Sequence, residues 1–208
     1  MHRTIFDTPV VSAVLRLLSA LVLRLSGWSV VGERPDNPKL VLIAAPHTSN
    51  WDLPFMLMVA FSMGTPIYWM GKDSIFKFPF SNLMRWMGGI PIDRSQANNV
   101  VSATAEVFKQ TDRLIIAVPP EGTRSLVKYW KTGFYYIAQQ AEVPIALGFL
   151  DFATKQGGVG PILQPTGDLD QDMKFIKSFY AQKKGKCESK YEEAPQTSAD
   201  IKKKSADQ

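Results

Sequence analysis

Residues 40–54 read Leu40-Val41-Leu42-Ile43-Ala44-Ala45-Pro46-His47-Thr48-Ser49-Asn50-Trp51-Asp52-Leu53-Pro54. The first six are continuously apolar, the pattern of a strand buried on both faces. From Leu53 to Phe61 the chain is apolar again and reads as a helix. Pro54 has no N–H and fits only the first turn, where the backbone donors are unpaired. Ser49 or Asn50 is then the expected N-cap. A buried strand leading through a short polar bend into a helix is the opening of an α/β unit. The bend also carries chemistry. His47 stands at the strand end and Asp52 in the first helical turn, which are the makings of a base and the carboxylate that orients it. Alone, an H-x4-D spacing is that of a capping turn with a polar histidine, and the surrounding segments must give it meaning.

Downstream the alternation continues. Residues 66–70 and 88–94 read as short strands, the second ending in charge, with a helical turn over 82–87 between them. Residues 96–110 form an amphipathic helix, with Val100, Thr104, Val107 and Phe108 on one face. Residues 114–118 are another buried strand. Residues 130–141 read as a helix, 143–149 as a strand, 159–163 as a weaker strand and 170–181 as a closing helix. Strands alternating with helices give an α/β class, a central mixed and largely parallel sheet flanked by helices. Functional side chains are then expected at strand ends: His47, Arg94, Glu121 and Arg124. Residues 71–80 differ in kind. Their aromatics alternate with lysines, as in an exposed loop that touches lipid or a partner.

Ahead of this lies an apolar run from Pro9 to Leu25, broken by Arg16 and Arg24. Ser12, Arg16, Ser19 and Ser26 recur at helical spacing and form a polar stripe, with Val11, Val14, Leu15, Leu18, Leu21, Val22 and Leu25 round the rest. A spanning helix needs roughly 20 mostly apolar residues without a mid-run arginine. Asp7 and Arg16 are also misplaced for a signal peptide. The expectation is an amphipathic helix lying in a membrane interface, with Val14, Leu18, Leu21 and Leu25 in contact, the arginines snorkelling to phosphates and Trp28 as an interfacial anchor. Beyond about Gln182 the chain is rich in Lys, Glu, Ser and Ala and reads as a disordered basic tail. The organisation expected is thus 1–27 interface helix, 28–181 catalytic α/β domain and 182–208 tail.

The composition, 45% hydrophobic and 21% charged, is globular, and the net charge of +5 with a pI near 9.3 suggests an anionic partner. Nucleic acid is the weaker choice, because Glu188, Glu192 and Glu193 are interspersed with the tail's lysines. One cysteine, Cys187, permits no disulfide framework and no cysteine-based zinc site within the chain. The other histidine, His2, sits at the terminus, so His47 is the plausible catalytic imidazole. There is no G-x-S-x-G elbow, no P-loop and no G-x-G-x-x-G, so serine-hydrolase and nucleotide-binding signatures are missing.

Four segments, in order, resemble the blocks of the glycerolipid acyltransferase family, whose best-known members are the bacterial 1-acylglycerol-3-phosphate acyltransferases. They are His47-Thr48-Ser49-Asn50-Trp51-Asp52, Gly88-Gly89-Ile90-Pro91-Ile92-Asp93-Arg94, Pro120-Glu121-Gly122-Thr123-Arg124-Ser125 and Val143-Pro144-Ile145, with Lys131 and Gly133 bridging the last two. Pro46, Pro119 and Trp130 depart from the commoner residues in loops that contact the acceptor. The resemblance implies transfer of a fatty acyl group from a thioester, acyl-CoA or acyl carrier protein, to a lysophospholipid hydroxyl. The foremost acceptor is 1-acylglycerol-3-phosphate (lysophosphatidic acid), giving phosphatidic acid in phospholipid biosynthesis. Another lysolipid acceptor, such as a lyso-ornithine lipid, or a non-catalytic lipid-binding role are the alternatives. In that scheme His47 is the general base, suited by an imidazole's usual pKa of about 6.5, and Asp52 fixes its tautomer. Arg94 and Arg124 are phosphate forks, with Lys72 a second phosphate candidate. Backbone N–H groups around Gly122 meet the oxyanion, and Thr123 is a further substrate-binding residue. Glu121 binds the acceptor hydroxyl or holds an arginine. No metal or resident cofactor is expected. The partners are a membrane surface, the lysolipid and the acyl donor, with no nucleic acid, at the cytoplasmic face of the inner membrane as a peripheral or monotopic protein.

Overall fold

Alternate residues of the strand Lys39–Ala45 (β2) go to opposite sides of a sheet, as a period of two requires. The computed structural model describes residues 3–92, 97–190 and 196–197. Arg94 and the tail beyond 190, apart from Gln196–Thr197, lie outside them.

The chain runs α1 (Pro9–Leu25), β1 (Ser29–Val31), β2, α2 (Asp52–Met63), β3 (Tyr68–Lys72), α3 (Ser81–Trp86), β4 (Gly89–Ile92), α4 (Ala97–Lys109), β5 (Leu114–Val118), β6 (Tyr129–Trp130), α5 (Gly133–Ala141), β7 (Ile145–Asp151), β8 (Gln156–Leu163), α6 (Leu169–Tyr180) and β9 (Gln196–Thr197). The main sheet has the order β1-β8-β7-β2-β5-β3-β4. β7, β2, β5, β3 and β4 are mutually parallel, and β8 pairs antiparallel to β7, taking β1 with it. The sheet is therefore mixed and mostly parallel, flanked by helices. The residues 156–158, two of them glycine, extend the weak strand expected at 159–163 back to Gln156, where it pairs with β1.

Val41, Ile43 and Ala45 share one buried cluster with Phe108 of α4, Phe134 and Ile137 of α5, and Met173, Ile176 and Tyr180 of α6. Leu40 and Leu42 share a second with Ala60 of α2 and Phe76, joined by Phe6, Met56 and Met84 of α3. So α4–α6 cover one face of the sheet, while α2, α3 and the turns around Phe6 and Phe76 cover the other.

α1 lies outside α2, and although Leu23 packs inwards, most of its apolar residues face away from the protein. Ser19 and Leu23 are its buried residues. Val10, Leu17 and Leu25 are 76%, 74% and 78% exposed, and Val14, Leu18, Leu21 and Val22 are exposed with them. Leu23 shares a buried cluster with Val59 of α2, and Arg16 lies beside Gly64 at the C-terminal end of α2, where a cation meets the negative end of the helix dipole. Arg16 thus lies alongside the protein surface, exposed. Trp28 is a correction to the sequence reading. Its N–H closes a turn onto Leu23 O at 2.8 Å, and its ring, 8% exposed, packs 4.4 Å from Phe55 and 4.9 Å from Phe152. Chain reversal after α1 turns it into the core.

The expected tail is corrected over its first part. Residues 182–190 run back across the sheet end instead of leaving the protein. Phe152 N–H donates to Lys184 O at 2.9 Å, Lys183 Nζ lies 4.3 Å from the Phe149 ring, and Gly185 is buried. Cation–π contact and backbone hydrogen bonds do there what an apolar side chain does elsewhere, so hydropathy alone could not reveal it.

Candidate active site

His47 follows β2 by two residues and Asp52 opens α2, so one short bend brings them together. Asp52 Oδ2 stands 3.1 Å from His47 Nδ1. The same oxygen accepts the N–H groups of Thr48 and Ser49 at 2.8 and 2.9 Å. Asp52 is 5% exposed. The pairing assigns the proton to Nδ1 and leaves Nε2 as the basic nitrogen. The expected N-cap is displaced. Trp51, in helical conformation and without a side-chain bond, occupies that position, while Ser49 Oγ accepts Trp51 N–H at 3.2 Å. Asp52 takes the N–H groups of the bend itself, and no cap side chain is needed.

The loop after β5 lies alongside because β2 and β5 are neighbours, with Ile43 opposite Val118. Two bonds join the loops. Glu121 Oε1 accepts His47 N–H at 3.0 Å, and Arg124 Nε donates to Ser49 O at 3.2 Å. Glu121 is 4% exposed and does not line the cavity described below. It holds the backbone of His47, and among the described residues it holds no arginine. Burial pushes its carboxyl up to about 7, against a pull downwards from its backbone N–H bonds, with the nearby Asp52 charge adding to the rise. Its Oε2 has no partner among the described residues.

Gly122 has φ +67°, a conformation that favours glycine, and a Cβ there would meet Lys131 Nζ at 3.2 Å. Its N–H donates to Pro119 O at 3.1 Å. The turn uses that donor internally, so the oxyanion role expected of Gly122 N–H does not fit the geometry. Lys131 N–H donates to Pro120 O at 2.9 Å and fastens the far side of the loop.

A cavity of about 320 Å³ opens beside His47. His47, Asp52, Gly122, Thr123, Arg124 and Lys72 all line it, so most of the expected site residues meet here. Its exposed lining includes Lys72, Ile75, Thr123 and Arg124, and its buried lining includes Leu42, Val59, Ala60, Ile67 and Trp69. It thus runs from a cationic rim into an apolar interior between α2 and the sheet. Among the described residues no group of three or more His, Cys, Asp or Glu side chains is placed to hold a metal ion.

Two supports escaped the sequence reading. Thr48 is 1% exposed, and its Oγ1 accepts Cys187 N–H at 3.2 Å. Gly185 lies so close that a Cβ there would fall 2.7 Å from Thr48 Cγ2 and Oγ1 and 3.2 Å from Pro46 Cβ. The 182–190 segment therefore buttresses the His47 bend from behind. No local pattern signals a contact across more than a hundred residues.

Residues 29–146 match the sequence model of a family described as Acyltransferase. The chain belongs to the acyltransferase family. The acyltransferase match spans β1 to the start of β7, and so includes both loops that meet at His47. Among solved structures, the fold is similar to that of the 1-acyl-sn-glycerophosphate (LPA) acyltransferase PlsC from Thermotoga maritima. The TM-score is 0.55 and the identity 17%, over 81% of this chain and 76% of that one. No curated protein sequence gives a match. For an acyltransferase, the arrangement at His47 offers a basic nitrogen fixed in orientation by a buried carboxylate, beside a cavity that is apolar within and cationic at its rim.

Proposed function

We propose that this acyltransferase moves a fatty acyl group from an acyl thioester, acyl-CoA or acyl carrier protein, to the hydroxyl of a lysophospholipid, foremost 1-acylglycerol-3-phosphate. The observation that carries the reading is the His47 Nδ1–Asp52 Oδ2 contact of 3.1 Å at the edge of the cavity. As the acceptor oxygen forms its bond to the acyl carbon, Nε2 takes the hydroxyl proton. The buried Asp52 favours the imidazolium that results. The carbon–sulfur bond then breaks, and the proton goes to the departing thiolate. A thioester is already activated, so the scheme needs no covalent nucleophile and no resident cofactor. The apolar interior suits an acyl chain and Arg124 suits a phosphate. Arg94, beyond the described residues, is the second phosphate fork in this proposal and Lys72 a further cation at the rim. The exposed apolar face of α1 supports work at a bilayer, where lysolipid and product reside, at the cytoplasmic face of the inner membrane. Among the described residues no helix is long and apolar enough to cross a membrane.

The experiment is thiol release from palmitoyl-CoA across a panel of lysolipid acceptors, with His47→Ala as control. The expected outcome is turnover stimulated by lysophosphatidate and lowered at least about 10²-fold by the substitution. Wild-type turnover in the variant would end the assignment. Stimulation by a different lysolipid would keep the chemistry and replace the acceptor.

A further inference from the structure

The site as described leaves the segment after β3 unused. Phe76, 6% exposed, pins it: its ring stacks 5.8 Å from Trp69, and the Arg85 guanidinium lies 5.7 Å from its centre. Around that pin the large apolar side chains face outwards. Phe78 is 96% exposed and Phe80 59%, with Ile75 and Leu83 each 43% exposed. Lys72, Lys77 and Arg85 accompany them, and Asp73 is the lone acid from 72 to 86. Lys72 and Ile75 also line the cavity. Met84 joins Phe6 and Met56 on the sheet face that carries α2, outside which α1 lies, so the segment and α1 belong to the same side of the sheet.

We propose that the 75–83 segment is a second bilayer contact, separate from α1, which sets the cavity mouth against an anionic lipid surface. The proposal rests on the reading of a membrane-resident acceptor. Phe78 projects almost wholly into solvent at a cis Phe78–Pro79 peptide. A protruding ring of this kind suits insertion among headgroups and acyl chains, whereas a protein partner needs a packed, complementary patch. The excess of cations around the rings matches anionic headgroups. With α1 alone the protein could pivot about one helix. A second contact at the mouth fixes which way the cavity faces and lets a lysolipid reach His47 from the bilayer.

The test uses the full chain with Phe78→Ser/Phe80→Ser and, separately, Lys77→Glu. Co-sedimentation is measured with vesicles of phosphatidylcholine containing phosphatidylglycerol and with phosphatidylcholine alone. Turnover is measured on bilayer-embedded lysophosphatidate and on a short-chain, monomeric one. The double variant should partition at least about tenfold more weakly, and Lys77→Glu should weaken partition only on the anionic vesicles. Turnover on the monomeric acceptor should stay unchanged in both. Unaltered partition in the double variant would overturn the proposal. So would equal loss of turnover on both acceptors, which would make the segment part of the reaction site. Unaltered partition with loss confined to an acyl-carrier-protein donor would replace the bilayer by an acidic protein. If the wild type acylated no acceptor, the proposed function would fail while the partition measurement still decided the contact.

Discussion

Glu121, whose Oε1 accepts the backbone N–H of His47, keeps its proton to higher pH than an ordinary glutamate. An unfolded glutamate titrates near 4.5 and the folded one near 7, because burial penalises the charged form. Between these values the native state binds the extra proton, so stability falls as pH rises through the window, and the loss is complete above it. Glu121→Gln keeps an oxygen for His47 N–H and removes the titration. Its melting temperature relative to wild type should therefore rise steadily from pH 4.5 to pH 7, as read by thermal unfolding across that range. A constant difference would mean that Glu121 does not titrate there. Arg124 poses a different question at the same scale. Its Nε is committed to Ser49 O, so in the proposed function a phosphate would meet the terminal nitrogens. Arg124→Lys loses the planar fork, and KM for lysophosphatidate should rise about tenfold, the size of one charge-assisted bond. KM for the acyl donor should stay close to wild type. A normal KM for the phosphorylated acceptor would remove Arg124 from the phosphate site.

At the scale of elements, the 182–190 segment connects the chain's end to its chemistry. Gly185 leaves no room for a side chain against Thr48, whose N–H is one of the donors on Asp52 Oδ2. Gly185→Ala must push Thr48 or the segment aside. Because small misplacements are costly in positioned catalysis, kcat should fall at least about tenfold while KM for the thioester changes little. Wild-type kcat would show that the segment merely covers the sheet end. This support was invisible in the sequence, since it depends on long-range contact and on backbone groups without hydrophobic signal. What could be read beforehand were the elements with strong local patterns. The buried strands at 40–45 and 114–118, the helix from Pro9 to Leu25 and the placing of His47, Glu121 and Arg124 at strand ends all follow from apolar runs and breakers. The strands Ser29–Val31 and Tyr129–Trp130 are three and two residues long and have no periodicity to detect. Glu121's inward turn depends on the left-handed Gly122 and on the bond to His47, neither of which spacing reveals. Trp28 was misassigned because an aromatic after an amphipathic helix has the same composition whether it meets lipid or core.

At the scale of the whole molecule, the direction of α1 decides how the protein meets its surroundings. A helix that serves only as cover turns its apolar residues inwards; this one buries Leu23 and Ser19 and leaves Val10, Leu17, Leu21 and Leu25 outside. An apolar strip of that length left in water is unfavourable in proportion to its area, and under the proposed function, with its membrane-resident acceptor, lipid is the apolar medium that would cover it. The net charge of +5 adds attraction to an anionic surface without choosing a face. Deleting α1 would also uncover α2, so removal cannot separate anchoring from folding. Substituting the outward side chains can. Leu17→Ser/Leu21→Ser changes residues that are 74% and 52% exposed, so the melting temperature should stay within a few degrees of wild type, as about 0.5 kcal/mol per surface site implies. Partition onto vesicles containing phosphatidylglycerol should weaken at least about tenfold, since each lost leucine removes burial of about 1.5–3 kcal/mol. Unchanged partition with an unchanged melting temperature would mean that α1 does not bind lipid, and that its outward strip awaits another partner.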